Sequence, residues 1–218
     1  MKKVVIIGGL GNGSVIAAAI KHAGLIGCGE YECAGFLNDR VPVGQMIDDF
    51  PVVGTLKDTA HFIEEGYYFI NTILRIDGQS ERLALIESLH IPDNRWATFI
   101  HPSSYIAPNV VLSPGVIVMP HVCISPGAKI GKNTLIMMAA SVGHDTIVGE
   151  YCHIAAQACV GAYMKVGNGV HVGVNATIRE NIEIGENATL GMGAVLTKNI
   201  GPREVWVGNP ARFLRMAE

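Results

Sequence analysis

From Ile100 to Leu196 an aliphatic side chain returns at every sixth position without a miss, through Ile106, Leu112, Val118, Ile124, Ile130, Ile136 and so on to Ile184 and Leu190. Four residues after each one the chain mostly places a small or β-branched residue, among them Ser104, Val110, Ala128, Thr134, Ala140, Thr146, Ala158, Ala176 and Ala188. The fourth and sixth residues then form an inward pair two positions apart. A polar or glycine-bearing corner follows, such as Pro126-Gly127, Gly131-Lys132-Asn133 or Gly167-Asn168-Gly169. That unit is a short strand and a turn, and its repetition predicts a solenoid. A helix would need apolar positions at a period near 3.6, which this stretch lacks.

Residues 1 to about 95 follow another pattern. Val4-Val5-Ile6-Ile7 reads as a buried strand, Gly8-Gly9-Leu10-Gly11-Asn12-Gly13 as a glycine-rich turn, and Ser14 to His22 as the helix that starts on it. Further strands are predicted at Ala34–Leu37 and Tyr67–Ile73, with a helix at Arg82–Leu89 before the linker at residues 91–94. Together they predict a small βαβ, Rossmann-like α/β domain at 1–95, followed by the solenoid and a C-terminal cap at 96–218. Glycines between a strand and a helix let backbone N–H groups approach a phosphate. The spacing is not GxGxxG, however, so an NAD-linked reductase is disfavoured.

The 218 residues, of which 49% are hydrophobic, suffice for a packed core. A net charge of −3 with 16% charged residues provides no basic stripe, so nucleic acid and anionic membranes are poor partners and a small molecule is the better one. The short apolar run after Lys2 and Lys3 is broken by glycine, unlike a signal peptide, and no stretch is long enough to span a membrane. Five cysteines without CxxC pairs suit reduced thiols in a cytoplasm, and inert buried roles are expected for them.

The glycine turn, GFLND at 35–39, FPVVG at 50–54, FIHPSSYIAP at 99–108, VGHDTIVGE at 142–150 and VGNPAR at 207–212 together resemble the sugar O-acyltransferases and amino-sugar N-acetyltransferases of the NeuD and PglD type. The resemblance spans essentially the whole chain. It implies that the solenoid is the left-handed parallel β-helix of hexapeptide-repeat acyltransferases, whose three hexads make one triangular coil. It further implies a homotrimer with acetyl-CoA held between adjacent β-helices, His144 as the base and Asp145 as its support. His153, the backbone at Gly161 and Ala162, and Val174 and Met192 would then line the coenzyme groove. The acceptor, a sugar or nucleotide sugar of surface glycan synthesis, would meet Leu10, Gly11, Asn12, Asn38 and Asp39. On that side the chain departs from the family: Asn12 stands for a histidine, Asn38 for an acidic residue, Ile73 for a glycine and Met137 for an asparagine. The donor side is kept and the acceptor side is changed.

Register tests this picture. Residues eighteen apart stack about 4.8 Å from each other, so Ala162 is expected over His144 and His171 over His153. His144 and His153 are half a coil apart, on opposite sides of one prism, and only neighbouring subunits can bring both to one thioester. A neutral imidazole suits removal of a proton from an attacking amine or hydroxyl, and His153 faces outward, where it can donate to the thioester carbonyl. His171 reads as a stacked surface residue, and His101 and His121 as weak candidates. Two alternatives compete: a non-catalytic β-helix acting in binding or assembly, and a zinc carbonic-anhydrase-like trimer. The latter needs a third stacked histidine that the register does not supply, so no metal is expected.

Overall fold

Four aliphatic residues in a row, Val4 to Ile7, are wholly buried and form the centre of the first sheet, as a parallel strand covered on both faces requires. The computed structural model describes residues 1–74 and 77–218. In it β1 (Lys2–Ile7) lies between β2 (Tyr31–Leu37) and β5 (Tyr68–Asn71), both parallel to it. Outside β2 run β4 (Phe50–Gly54), parallel, and β3 (Met46–Ile47), antiparallel to β4. Helix α1 (Asn12–Leu25) packs Ile16 and Ile20 with Val4 and Ile6 on one face. Helices α2 (Thr59–Glu64) and α3 (Gln79–Ser88) bring Phe62 and Ile86 to Val5 and Ile7 on the other.

The expected strands and helices are present with shifted ends: α1 starts two residues earlier and runs three residues further, and the third expected strand stops at Asn71. The hairpin of β3 with β4 and the helix α2 were not anticipated. FPVVG nevertheless alternates buried and half-buried positions, the period of a strand.

The solenoid consists of seventeen two-residue strands, β6 (Phe99–Ile100) to β22 (Val195–Leu196). They stack in three parallel sheets of the prism, the first begun by β6, the second by β7 (Tyr105–Ile106) and the third by β8 (Val111–Leu112), with an eighteen-residue register, such as Cys123 beside Ser141 and Leu135 beside His153. This is the left-handed β-helix. One further strand, β23 (Glu204–Val207), continues the first sheet parallel to β21 (Thr189–Leu190), and β24 (Arg212–Met216) folds back on it antiparallel. Both inward sets are buried from Val116 onward, each large aliphatic side chain contributing about 1.5–3 kcal/mol. Before Val116 the inward side chains are less covered: Ile106, Val110 and Leu112 are half-buried, and Ile100, at the open end of the prism, is 42% exposed.

The corners carry a second period of six. Every sixth residue from Gly115 to Gly193 has a positive φ, including Asp145 at 56° and Tyr163 at 55°. L-residues pay about 1–2 kcal/mol for that conformation, and none of the residues holding it is β-branched.

The first unit lies against the first sheet of the prism. Ile117, Met119, Leu135 and Met137 share one core with α1 and β1. Arg215 forks onto Asp77 at 2.9 and 2.8 Å, clasping the last strand to the segment before α3. Met137 is thus packing between the units at 5% exposure, which corrects its reading as an acceptor-facing position. The cysteines also differ from expectation. Cys152 is buried, which pushes its thiol up to about 12, and Cys33 is shielded with its thiol up to about 11 for the same reason, whereas Cys28, Cys123 and Cys159 are exposed free thiols.

Candidate active site

His144 and Asp145 occupy a corner between the second and third sheets of the prism, after β13 (Ser141–Val142). The corner depends on glycine. A Cβ at Gly143 would come within 2.5 Å of backbone atoms of Gly161 and Ala162 in the next coil, and one at Gly127 within 2.3 Å of Asp145 Oδ1. Asp145 accepts at 2.9 Å from His144 Nδ1. A carboxylate only accepts, so the imidazole proton sits on Nδ1 and Nε2 keeps its lone pair. Both side chains are about half exposed, at 48% and 54%, open to an incoming substrate. The arrangement fixes the tautomer of the neutral ring and leaves Nε2 able to take up a proton.

The coil above is braced over this pair. Buried Thr146 donates to Gly161 O at 2.8 Å and accepts from Met164 N–H at 3.2 Å, holding the 161–164 corner in place. Ala162 lies over His144 as the register requires, and beside it stands a residue that sequence reasoning missed. The Tyr163 ring meets the His144 ring edge to face, with centroids 4.8 Å apart at 84°. Tyr163 is 55% exposed, so it flanks the His144 imidazole without closing it off. A bulky side chain at a positive-φ corner is a readable anomaly.

His153 lies on the first sheet, the side of the triangle opposite the His144 corner, so one chain does not join the two. It points out of the prism but is only 9% exposed. Its Nδ1 is 3.0 Å from Nδ1 of His171, and its Nε2 is buried without a partner among the described residues. Burial, then His171 and Arg82, push His153 down to about 3, and burial with Arg82 lowers His171. His171 is therefore a partly buried partner of His153, not the surface residue expected. His101 is also more than incidental: it is buried, bonded to His22 Nδ1 at 3.0 Å and to Ser103 Oγ at 2.8 Å, and ties α1 to the prism. Val174 and Met192 stand at the corners leading from the first sheet to the second, 48% and 81% exposed. An exposed apolar pair one coil apart is suited to a long flexible ligand with apolar segments, such as a pantetheine arm.

On the first unit a cavity of about 750 Å³ opens at the carboxyl ends of β1, β2 and β5, the crevice where parallel α/β sheets bind ligands. Leu10, Asn38 and Asp39 line it, while Gly11 and Asn12 lie outside its lining. Ile73 lines it too, in keeping with its acceptor-side reading. Asn38 is already committed: it donates to Gly8 O at 2.8 Å and accepts from the N–H groups of Arg40 and Val41 at 2.8 and 2.9 Å. Its role is to brace the glycine turn. Gly8 and Gly9 are likewise demanded by the close approach of Thr72 and Asn38. Asp39 accepts from Leu56 N–H through Oδ1. Gly11 caps α1 with no side-chain hydrogen bond, leaving the helix dipole free to face an anion. Arg82, which sequence reasoning passed over, lines the same cavity, is 4% exposed, and donates to Tyr151 O in the prism. Among the described residues, no three histidine, cysteine or acidic side chains are grouped to hold a metal ion.

Comparison with known proteins gives the same architecture. The model of the bacterial transferase hexapeptide (six repeats) matches residues 127–162 and 163–198. No curated protein sequence matches the chain. Among solved structures, a histidine-to-asparagine mutant of perosamine N-acetyltransferase from Caulobacter crescentus, in complex with CoA and GDP-perosamine, is 26% identical with a TM-score of 0.85. The match covers 99% of this chain and 98% of that one. The acetyltransferase domain of PglB from Neisseria gonorrhoeae, with acetyl coenzyme A, is 25% identical with a TM-score of 0.82 over 98% of this chain and 99% of that one. WeeI from Acinetobacter baumannii, 22% identical with a TM-score of 0.78 over 98% and 100%, shares the fold.

Proposed function

We propose that this chain, a hexapeptide-repeat protein of the sugar acetyltransferase family, moves an acetyl group from acetyl-CoA to the amine of a nucleotide-linked sugar. The observation that carries the reading is the end-to-end likeness to perosamine N-acetyltransferase at a TM-score of 0.85, with CoA and GDP-perosamine bound there. The bonded His144–Asp145 pair supports it from within this chain.

The acceptor nitrogen attacks the thioester carbonyl carbon while its proton passes to His144 Nε2. The tetrahedral intermediate collapses as the C–S bond breaks, and the CoA thiolate recovers the proton from the imidazolium. Asp145 keeps Nδ1 protonated throughout and stabilises the transient cation. His153, with amides of the 161–162 segment, faces the developing oxyanion, and Val174 and Met192 border the pantetheine arm. Residues 1–95 supply the acceptor unit, with Leu10 and Asp39 at its cavity and the free amides of the Gly11–Asn12 turn toward a phosphate. Residues 96–218 supply the transfer unit. Because the His144 corner and the His153 face lie on opposite sides of one prism, the complete site joins two subunits of a trimer, giving three sites per ring.

The test is release of free thiol from acetyl-CoA across a panel of nucleotide-linked amino sugars, hydroxyl-only nucleotide sugars and sialic acids. Turnover on an amino sugar is expected, and His144→Ala is expected to abolish it while sedimentation still reports a trimer. Turnover on hydroxyl acceptors alone would reassign the accepting atom. An active monomer would overturn the shared site.

A further inference from the structure

The two histidines stacked on the first sheet carry a constraint that the transfer chemistry does not use. His153 Nδ1 and His171 Nδ1 are 3.0 Å apart, and the ring centroids are 4.9 Å apart. A hydrogen bond between imidazole nitrogens needs a proton on one and a lone pair on the other. Each neutral ring carries a single N–H, so the direction of this bond also decides what the far nitrogen of each ring can do. If His171 donates, His153 bears its own proton on Nε2. If His153 donates, its Nε2 is a lone pair.

That Nε2 is buried and, among the described residues, has no partner, a state that few buried polar atoms of folded proteins keep. His153 also cannot become a donor by taking up a second proton, because burial holds it down to about 3 and His171 and Arg82 add to the effect. Its donor character at neutral pH is therefore a matter of tautomer alone. A carbonyl oxygen, and still more the oxyanion derived from it, offers only lone pairs. One direction of the histidine pair serves acyl transfer and the other opposes it.

We propose that His171 is a positioning residue: it donates its Nδ1–H to His153 Nδ1 and so fixes His153 Nε2–H as the donor aimed at the acyl carbonyl of the thioester. The inference rests on the acetyl-transfer reading of the site. Asparagine at 171 would keep an N–H near the place of Nδ1, whereas leucine would keep the bulk without the donor.

The experiment combines imidazole ¹⁵N NMR of the free full-length protein with steady-state kinetics of wild type, His171→Asn and His171→Leu. Wild type and His171→Asn are expected to show His153 protonated at Nε2, with kcat within about threefold of each other. His171→Leu is expected to show mixed tautomers and to lose about 10- to 100-fold in kcat at unchanged KM for acetyl-CoA, up to an order of magnitude less than outright removal of an oxyanion donor. Protonation of His153 at Nδ1 in the wild type would overturn the assignment. Full activity of His171→Leu would do the same, as would equal loss in both variants with a lowered melting temperature. If the wild type releases no thiol with any acceptor, the acetyl-transfer reading fails, and the NMR of the free protein still decides the tautomer.

Discussion

Removing the carboxylate beside His144, the proposed base, should slow the proposed transfer far less than removing the imidazole itself, and the structure sets the ratio. Asp145 touches His144 through one hydrogen bond of 2.9 Å, with the two side chains 48% and 54% exposed. Ion pairs this open to water contribute about 0.2–1 kcal/mol. At about 1.4 kcal/mol per factor of ten, the carboxylate should account for roughly two- to tenfold in rate, allowing for some strengthening when substrates cover it. A general base is typically responsible for about 10²–10⁴. Asp145→Asn is the cleanest perturbation, because Asn175, Asn181 and Asn187 already hold the same positive-φ corner elsewhere in the prism. The side chain can also turn its amide oxygen toward Nδ1 and keep the tautomer. Single-turnover thiol release, which isolates the chemical step, should therefore show Asp145→Asn slowed by no more than about tenfold and His144→Ala by at least about a hundredfold. If Asp145→Asn cost as much as His144→Ala, the carboxylate would be handling the proton itself and its supporting role would be refuted.

Tyr163→Gly should relieve the positive φ of 55° and raise the melting midpoint, while increasing KM for the acceptor severalfold; a lower midpoint would show that the ring is structural. Gly127→Ala should drive a methyl to within 2.3 Å of Asp145 Oδ1, break the bond to His144 and lower stability by about 1–2 kcal/mol in urea unfolding. Acid should destabilise the fold from about pH 6.5 downward. His153, at about 3, stays neutral in the folded state, and His101 and His171, both lowered by burial first, take up a proton less readily there than in the unfolded chain. Stability is then full above the unfolded value of about 6.5 and falls by up to about 1.4 kcal/mol per pH unit per histidine below it. Urea midpoints between pH 8 and pH 5 measure this, and a flat profile would contradict it.

The prism was legible because its signal is strictly periodic: each inward position from Val116 on needs an apolar or small residue, and the chain supplies one at every turn. The eighteen-residue register came from the family resemblance, which groups three such hexads into one coil, and with it the stacking of Ala162 on His144. What the period of six does not encode is which outward positions stay in water, since that depends on what the first unit covers. Met137 looked like a substitution at an acceptor position because its neighbour across the sheet boundary was invisible, and Asn38 looked free because its three backbone partners come from the turn it holds. His171 was misjudged for the same reason.

Part of that missing information was nonetheless written in the outward column of the first sheet. Reading up the coils, it runs Phe99, Ile117, Leu135, His153, His171 and Thr189. The equivalent column on the third sheet runs Val111, Lys129, Ile147, Lys165 and Glu183, all exposed. Three large apolar residues in a row on an outward face mark a surface that something must cover. A change to histidine just above them marks where the cover stops being purely apolar. Arg82 donates to Tyr151 O at that level, and burial lowers both histidines there, His153 to about 3. A chain that packed its α/β unit on this sheet for stability alone would have continued the apolar column upward. Placing two histidines with lowered proton affinity at that height instead costs stability as the pH falls, which makes sense if a polar ligand atom meets the unpaired Nε2 during the reaction.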